Sequence, residues 1–256
     1  MSSRHRKLDT VIARLQLQYG PHALQRAGLS GASDRIGCIP TTFSGLDAVL
    51  AESCFGGRGG LPRGRITEIV GPATSGKVTL AAKVVAAAHR ERGALAAWLD
   101  LSRTCDPDYL HRCGVDLSRL LVIRPEDSRD ALAITLHLVE SNTLAVLIFD
   151  GVVDLMRLAS DDESLMIGAL ERLGVVVTQT PTAILFLSEP GAQHQTLAHL
   201  ATVRLKITRE HWLTRHRDVR GYEGQVQILK NKIGRSGIVV PIRIIFNGTV
   251  RSKGLW

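Results

Sequence analysis

The sequence predicts an α/β fold, in which a mostly parallel sheet covered by helices has an antiparallel extension at its C-terminal end. Three observations predict this class. Short, almost continuous apolar runs recur from residue 66 onward, Ala/Leu-rich stretches of helical length lie between the first of them, and the last fifth of the chain alternates apolar and polar residues. Continuous apolar strands indicate burial on both faces, as in parallel sheets covered by helices. Alternation indicates strands with one solvated face.

The elements can be assigned in chain order. Apolar residues at spacings of three and four predict an amphipathic helix over residues 5–20, and a Gly/Ser-rich link follows at 28–34. Buried strands are predicted at 66–70, 95–100, 120–123, 145–150 and 183–188, with helices at 77–91 and 128–141. Alternating strands are predicted at 201–208, 225–230 and 241–246, with turns at 220–221 and 234–237. We therefore expect an N-terminal helix and linker at 1–34 and one α/β core at 35–256.

The positive charge is concentrated at the end of the chain. The whole sequence has 32 Lys and Arg against 24 Asp and Glu, a net charge of +8. Residues 204–256 contain 12 Lys and Arg against 3 Asp and Glu, so this segment has a charge of +9 and the rest has −1. Clustered positive charge attracts phosphate or nucleic acid. A solvated face explains the cluster equally well.

The cysteine pattern and the apolar runs bear on the compartment. The four cysteines, Cys38, Cys54, Cys105 and Cys113, form no C-x-x-C pair and no zinc-like spacing, so we expect reduced, intracellular thiols. The N-terminus lacks the apolar centre of a signal peptide, and no apolar run reaches the roughly 18 residues of a membrane span. A cytoplasmic protein without a membrane partner is expected.

A glycine-rich loop lies between a predicted strand and a predicted helix. Its spacing, Gly71-x-x-x-x-Gly76-Lys77, lets backbone N–H groups surround a phosphate while the lysine reaches the terminal phosphates. The next residue is Val78 where the motif requires a Mg²⁺-binding hydroxyl, and Thr79 points about 100° away around the helix. We expect nucleotide binding with a weakened Mg²⁺ site. The alternative is a glycine-rich turn with a surface lysine.

Asp150 ends the apolar strand at 145–150. In proteins with such a phosphate loop, a carboxylate at a strand end orients Mg²⁺ or its waters, so Asp150 is the candidate metal ligand. The alternative is an aspartate that only caps the following turn.

Several further motifs resemble those of the bacterial RecA recombinases, in the same order. They are Tyr19-Gly20, Ser44-Gly-Leu-Asp47, residues 59–66, Gly71-Pro-Ala-Thr-Ser75-Gly76-Lys77, Asp106-Pro-Asp-Tyr109, Gly114-Val-Asp116, Val203-Arg-Leu205 and Lys230-Asn-Lys232-Ile233. The resemblance implies a RecA-like core that binds ATP and Mg²⁺. It places the nucleotide at Gly71, Ser75, Gly76, Lys77, Val78, Thr79, Tyr109 and Asp150, with Tyr109 stacked on the adenine. It also implies that Lys230 and Lys232 contact the ATP of a neighbouring subunit, although a solvated edge strand explains the two lysines as well.

The departures from the family concern hydrolysis. Ser102 stands where the family has a glutamate that polarises the attacking water, and a hydroxyl is a poor general base near neutral pH. Glu189 stands where the family has a glutamine that senses the terminal phosphate, and a carboxylate there repels it. With Val78, three positions tied to hydrolysis differ, which predicts slow or lost hydrolysis. No catalytic residue is assigned.

The two loops with which the family binds DNA are also altered. The first carries Ser160-Asp-Asp-Glu163, which repels a phosphate backbone and is explained equally well as a helix capping box. The second, at 190–196, is short and uncharged apart from His194. Single-stranded DNA therefore remains a candidate partner, but with a reduced set of contacts.

Two functional hypotheses follow, and a small-molecule kinase ranks behind both. The first is an active ATP-dependent recombinase that polymerises on single-stranded DNA. The second, which the departures favour, is an accessory that binds ATP and acts with a recombinase or a translesion polymerase in the DNA damage (SOS) response. Such a protein is a divergent RecA-like paralogue of the ImuA type that lacks the family's C-terminal domain. The helix at 5–20 is the candidate element for docking or self-association.

Overall fold

The computed structural model describes residues 10–15, 17–18, 36–54, 59–158, 163–191, 195–247 and 249–253. The chain divides into two compact units, residues 1–35 and 36–256. In the first unit, residues 10–15 and 17–18 are helical, inside the helix predicted at 5–20. The predicted link at 28–34 and the Tyr19-Gly20 pair lie outside the described residues.

The second unit alternates strands and helices. The strands are β1 (Cys38–Ile39), β2 (Leu61–Pro62), β3 (Ile66–Val70), β4 (Leu95–Asp100), β5 (Leu120–Ile123), β6 (Leu144–Asp150), β7 (Ala183–Ser188), β8 (Val203–Arg215), β9 (Asp218–Asn231), β10 (Val239–Asn247) and β11 (Thr249–Lys253). The helices are α1 (Ser44–Leu50), α2 (Lys77–Ala88), α3 (Pro107–Arg112), α4 (Ser128–Glu140), α5 (Val152–Leu158), α6 (Glu163–Val177) and α7 (Gln195–Leu200).

The described part of this unit contains one large sheet with the strand order β11-β10-β9-β8-β3-β7-β6-β4-β5. The strands from β5 to β8 in this order run parallel, and β9, β10 and β11 continue it antiparallel. The predicted fold class is therefore confirmed. One assignment changes, because β8, predicted as part of the antiparallel extension, pairs parallel with β3. The short helix α7 makes this possible, since a parallel neighbour needs a crossover connection.

A second correction concerns the turn predicted at Arg220-Gly221. Both residues lie inside β9, and the hairpin between β8 and β9 turns instead at His216 and Arg217, whose φ angles are 51° and 69°. A two-residue turn with positive φ at both positions matches the right-handed twist of the strands. Gly221 serves a different purpose, because a Cβ atom there would collide with the Ile244 carbonyl oxygen of β10.

The sheet buries apolar side chains on both faces. Along β6, Val146 and Ile148 join the cluster beneath α1, α2 and α3, while Leu147 and Phe149 join the cluster beneath α4 and α6. Successive side chains of a strand point to opposite faces, so a strand with both sets buried must be apolar throughout. This explains the continuous apolar runs in the sequence. Among the described residues, we find no helix with the length and apolar character needed to cross a membrane.

The expectation of four reduced cysteines is wrong for two of them. Cys38 in β1 and Cys54 form a disulfide, although 16 positions separate them in sequence. A search for C-x-x-C spacing cannot find this pair, because pairing of β1 with β2 and the turn after α1 bring the two residues together. Cys105 and Cys113 are free, and burial raises the pKa of each thiol to about 11.

Replacing Cys38 and Cys54 by serine should lower the free energy of unfolding by about 3 kcal/mol, because a cross-link over a loop of this length restricts the unfolded chain. Urea unfolding of the two proteins without reductant measures the difference. With dithiothreitol present, the wild-type protein should lose the same amount and match the variant. Equal stability without reductant would contradict the disulfide.

Candidate functional site

The carboxyl ends of the parallel strands bring the predicted site residues to one edge of the sheet. Val70, the last residue of β3, is paired with Ser188 of β7, and Asp100 of β4 is paired with Asp150 of β6. The glycine-rich loop follows β3 directly, and Glu189 follows β7. The loop, both aspartates and Glu189 therefore leave the sheet at the same edge, where open α/β sheets bind ligands.

The loop is shaped as a cradle that only glycine permits at two positions. Gly76 has φ 104°, and a Cβ atom there would collide with the Tyr222 hydroxyl. At Gly71, a Cβ atom would lie 2.7 Å from the Ile207 carbonyl oxygen. Within the described residues, the buried Ser75 hydroxyl has no hydrogen-bond partner. A loop without side chains at Gly71 and Gly76, and with the unpaired Ser75 hydroxyl just before α2, fits a phosphate.

Lys77 supplies one positive charge at this loop, and Arg209 of β8, which donates to Thr74 Oγ1 at 2.7 Å, supplies another. The Lys77 side chain is only 11% exposed, and its Nζ donates a hydrogen bond to the Gly71 carbonyl oxygen at 3.1 Å. The same Nζ lies 3.4 Å from Glu189 Oε1, so the two side chains form an ion pair across the site. A phosphate that binds in the loop must therefore compete with the Glu189 carboxylate for the lysine.

The residue after Lys77 has no side-chain oxygen that could face the loop. Val78 packs against the apolar cluster beneath α2. Thr79 is buried, and its Oγ1 lies 2.5 Å from the hydroxyl of Tyr109. The hydroxyl of Thr79 is therefore engaged outside the loop.

Tyr109 is fixed by the start of α3. Asp106 caps this helix, with its carboxylate accepting hydrogen bonds from the N–H groups of Asp108 and Tyr109 at 2.9 and 3.1 Å. Burial raises the pKa of Tyr109, and its ring borders a cavity of about 270 Å³ beside the phosphate loop. Trp212, Tyr222 and Phe246 form the aromatic wall of the same cavity.

Sequence reasoning did not assign these three aromatic residues to the site. Trp212 and Tyr222 face each other across β8 and β9 at a ring distance of 5.7 Å, and Phe246 comes from β10. The strands predicted at 201–208 and 225–230 do not reach Trp212 and Tyr222, and only Phe246 lies in a predicted strand, at 241–246. Only the sheet order reveals that the extension lies next to β3 and hence over the loop. Each of the three strands contains only one of these aromatic residues, so no repeated pattern in the sequence marks them as a group.

Two aspartates define the acidic part of the site. Asp150 is 6% exposed, and burial, with the charge of Asp100 adding to it, raises its pKa to about 6. Asp100, which sequence reasoning did not assign, is fully buried and pairs with Arg124 Nε at 2.9 Å. The Ser102 hydroxyl lies 3.4 Å from Asp100 Oδ1 and 2.7 Å from Thr104 Oγ1, so Ser102 supports its own loop.

These residues fit a triphosphate better than a metal ion. The loop and Lys77 suit phosphate oxygens. Mg²⁺ is expected to bind a hydroxyl at the residue after Lys77 and a carboxylate at the end of β6. This chain provides the carboxylate, Asp150, but Val78 has no hydroxyl. A search of the described part of the chain finds no group of three His, Cys, Asp or Glu that could hold a metal ion. Any Mg²⁺ here would depend on the nucleotide for most of its ligands.

Comparison with known proteins decides the family. Residues 6–251 match the model of the RecA N-terminal domain. The chain belongs to the RecA family. It is 31% identical to the RecA protein of Symbiobacterium thermophilum, over 98% of this chain and 77% of the relative. It is 33% identical to the RecA protein of Leifsonia xyli subsp. xyli, over 91% of this chain and 70% of the relative, and 32% identical to that of Acidiphilium cryptum, over 98% and 78%.

The two lysines that the resemblance assigns to a neighbouring nucleotide lie away from the loop. Lys230 and Lys232 both donate to the His199 carbonyl oxygen, at 2.9 and 2.8 Å, at the end of α7. Partial burial, with the charge of Lys232 adding to it, lowers the pKa of Lys230. Asn231 pairs with Val203, and Val203 pairs with Thr67 near the start of β3. The two lysines therefore lie near the amino-terminal end of β3, whereas Lys77 follows its carboxyl-terminal end.

The loops that the RecA resemblance assigns to DNA are described only at their ends. Residues 160–162 and 192–194 lie outside the described residues, so the interpretations of Ser160 and His194 remain predictions. Glu163 begins α6, and Gln195 begins α7.

Proposed function

We propose that this RecA-family protein binds ATP with little or no hydrolysis and serves as an accessory in DNA repair. The observation that carries the proposal is that the phosphate-binding part of the site is retained, whereas the part that would bind Mg²⁺ is altered. The phosphate half keeps its glycines and Lys77, whereas the first side-chain hydroxyl after Lys77, that of Thr79, is bonded to Tyr109 at 2.5 Å.

Binding of ATP is supported by the loop and the cavity beside it. Lys77 is positioned over the loop by its bond to Gly71, and the aromatic wall offers ring faces for a base. In hydrolysis, the terminal phosphoryl group of bound ATP would be transferred to water, with ADP as the leaving group. Glu189 opposes this binding, because its carboxylate must give up Lys77 and then lies beside a triphosphate.

Slow hydrolysis is supported by the groups that face the terminal phosphate. Ser102 offers a hydroxyl, bonded to Thr104, where a general base is needed. Asp150 and Asp100 are held together at adjacent strand ends, so the Asp100 carboxylate disfavours charge on Asp150.

Single-stranded DNA is the polymer that we expect this protein to meet. The basic last fifth of the chain includes Arg215 and Arg217 at the tip of the β8–β9 hairpin and Arg220 nearby, all exposed. The accessory assignment adds a protein partner, a recombinase or a translesion polymerase, and describes the chain as a divergent RecA paralogue of the ImuA type.

The second candidate is an active recombinase that self-associates on single-stranded DNA. It is favoured by the placement of Lys230 and Lys232, which cannot reach the loop of their own chain from the opposite edge of the sheet. In a head-to-tail assembly, such an edge faces the nucleotide of a neighbour. This contact would require the lysines to leave the His199 carbonyl.

Measuring ATP binding and ATP hydrolysis on one protein sample, with and without single-stranded DNA, separates the two candidates. We expect micromolar to submicromolar ATP binding and a hydrolysis rate that DNA does not raise. A DNA-stimulated rate comparable to that of a RecA protein assayed in parallel would overturn the accessory proposal. Failure to bind ATP at all would overturn both candidates.

A further inference from the structure

We propose that a second cavity, between α2, α3 and β11, binds the phosphate group of a nucleotide, either free or within a DNA strand. This cavity has a volume of about 570 Å³, larger than the one beside the phosphate loop. The two cavities share no lining residue. Lys83 in its wall lies six residues after Lys77, or about 9 Å along the helix.

The size of the cavity suits a ligand larger than a phosphate ion. Pockets for small molecules typically enclose about 300–1,000 Å³. Ala86 of α2 and Val250 of β11 give the cavity an apolar part, and cationic side chains surround it. A phosphate together with its sugar or base matches this combination better than an inorganic ion does.

The cavity wall has an excess of positive charge. It contains Lys83, Arg90, Arg112 and Arg119 against the single carboxylate of Asp116. Arg119 pairs with this carboxylate at 2.8 Å, which removes one charge of each sign. The C-terminal end of α2 contributes about half a negative charge, and the short helix α3 contributes no more. Arg90 and Arg112 alone outweigh this partial negative charge, before Lys83 or either of the two histidines is counted.

The remaining cations are placed differently within the cavity. Lys83 donates to the carbonyl oxygens of Cys113, at 2.9 Å, and Val250, and so joins α2 to the other two walls. Arg90 and Arg112 are exposed at its mouth. A planar guanidinium can donate two parallel hydrogen bonds to one phosphate, which makes arginine well suited to this ligand.

His89 provides an independent indication of a ligand. It is 5% exposed, lies in the cavity wall, and accepts a hydrogen bond from the Asp116 N–H at Nδ1, 3.2 Å away. Burial, with the charge of Arg119 adding to it, lowers the pKa of His89, so the neutral ring carries its proton on Nε2. Within the described residues, this buried Nε2 has no hydrogen-bond partner. Because Nε2 is shielded in this structure, a phosphate oxygen in the cavity can accept from it once the ring rotates toward the cavity.

The competing explanation is that the cations only offset the partial charges of helix ends. The experiment that separates the two begins with Lys77→Ala, in which the phosphate loop is disabled. Into this protein we introduce Arg90→Gln with Arg112→Gln. The matched control is Arg129→Gln with Arg172→Gln, two exposed arginines on α4 and α6, the helices that cover the other face of the sheet.

Fluorescence anisotropy with two probes, a fluorescent ATP derivative and a short single-stranded oligothymidylate, measures binding at low salt. We expect the Arg90 and Arg112 changes to weaken binding of at least one probe tenfold or more, and the control changes to weaken it less than threefold. An effect on the ATP derivative alone identifies a free nucleotide as the ligand, and an effect on the oligonucleotide alone identifies a DNA strand.

Two results would overturn the inference. One is equal affinity of the test and control proteins for both probes, which is the result expected if the cations only offset helix ends. The other is the absence of binding of either probe to the Lys77→Ala protein. Thermal melting confirms that each variant is folded. If the double variant does not fold, the single variants Arg90→Gln and Arg112→Gln replace it. Each single variant is expected to weaken binding about threefold. None of these outcomes depends on hydrolysis.

Discussion

Lys77→Ala should weaken ATP binding at least 100-fold, which corresponds to about 2.7 kcal/mol. Lys77 is the cation that lies over the loop, and its charge-assisted hydrogen bonds to phosphate are of the strong kind. Alanine keeps the glycine cradle and the start of α2 but removes that charge. Titration calorimetry with ATP, on wild-type and variant proteins under the same conditions, measures the change.

Glu189→Gln is the directional control for this experiment. It removes the carboxylate that pairs with Lys77 at 3.4 Å, so we expect ATP to bind several-fold more tightly. Both variants should melt within a few degrees of the wild-type protein, because Glu189 is half exposed and the described hydrogen bond and ion pair of Lys77 go to Gly71 and Glu189. Unchanged affinity in Lys77→Ala would refute the phosphate-loop assignment, whatever Glu189→Gln does.

The strands β3 to β7 could be predicted almost residue for residue, whereas the helix α6 and the parallel pairing of β8 with β3 were not predicted. The bounds of β3, β4, β5 and β7 are those predicted, and β6 begins one residue earlier, at Leu144. Burial on both faces keeps these strands mostly apolar, with Thr67 and Glu68 of β3 as exceptions, so their ends are visible in the sequence. The helix predicted at 77–91 ends at Ala88, because residues 89–93 turn toward β4 and Gly93 takes a positive φ.

The parts that sequence could not predict depend on contacts between distant segments. The composition of the loop shows that Val78 lacks a hydroxyl, but only the packing of α3 on α2 reveals that Thr79 is bonded to Tyr109. Likewise, the spacing of Lys230 and Lys232 predicts that they share a target, and only the position of α7 identifies this target as the His199 carbonyl.

Restoring three residues together should raise the rate of ATP hydrolysis at least 100-fold. Val78→Thr places a hydroxyl directly after Lys77, Ser102→Glu supplies a general base, and Glu189→Gln removes the carboxylate beside the lysine. Positioned acid–base catalysis alone is worth about 10²–10⁴ in rate. Each single change should have a much smaller effect, because groups that act in one step are strongly non-additive. Steady-state phosphate release, with and without single-stranded DNA, measures the rates.

The same triple variant with Lys77→Ala is the control, and its rate should fall to that of buffer alone. Ser102→Glu also removes the hydrogen bond to Thr104, so the stability of the triple variant is checked by urea unfolding. If the wild-type protein binds ATP and the folded triple variant stays inactive, the three departures do not explain the absence of hydrolysis. In that case, the ion pair between Asp100 and Arg124 and the shifted pKa of Asp150 become the features that hold the site inactive. If the wild-type protein already hydrolyses ATP as fast as the triple variant, the site is catalytically complete and the accessory proposal fails.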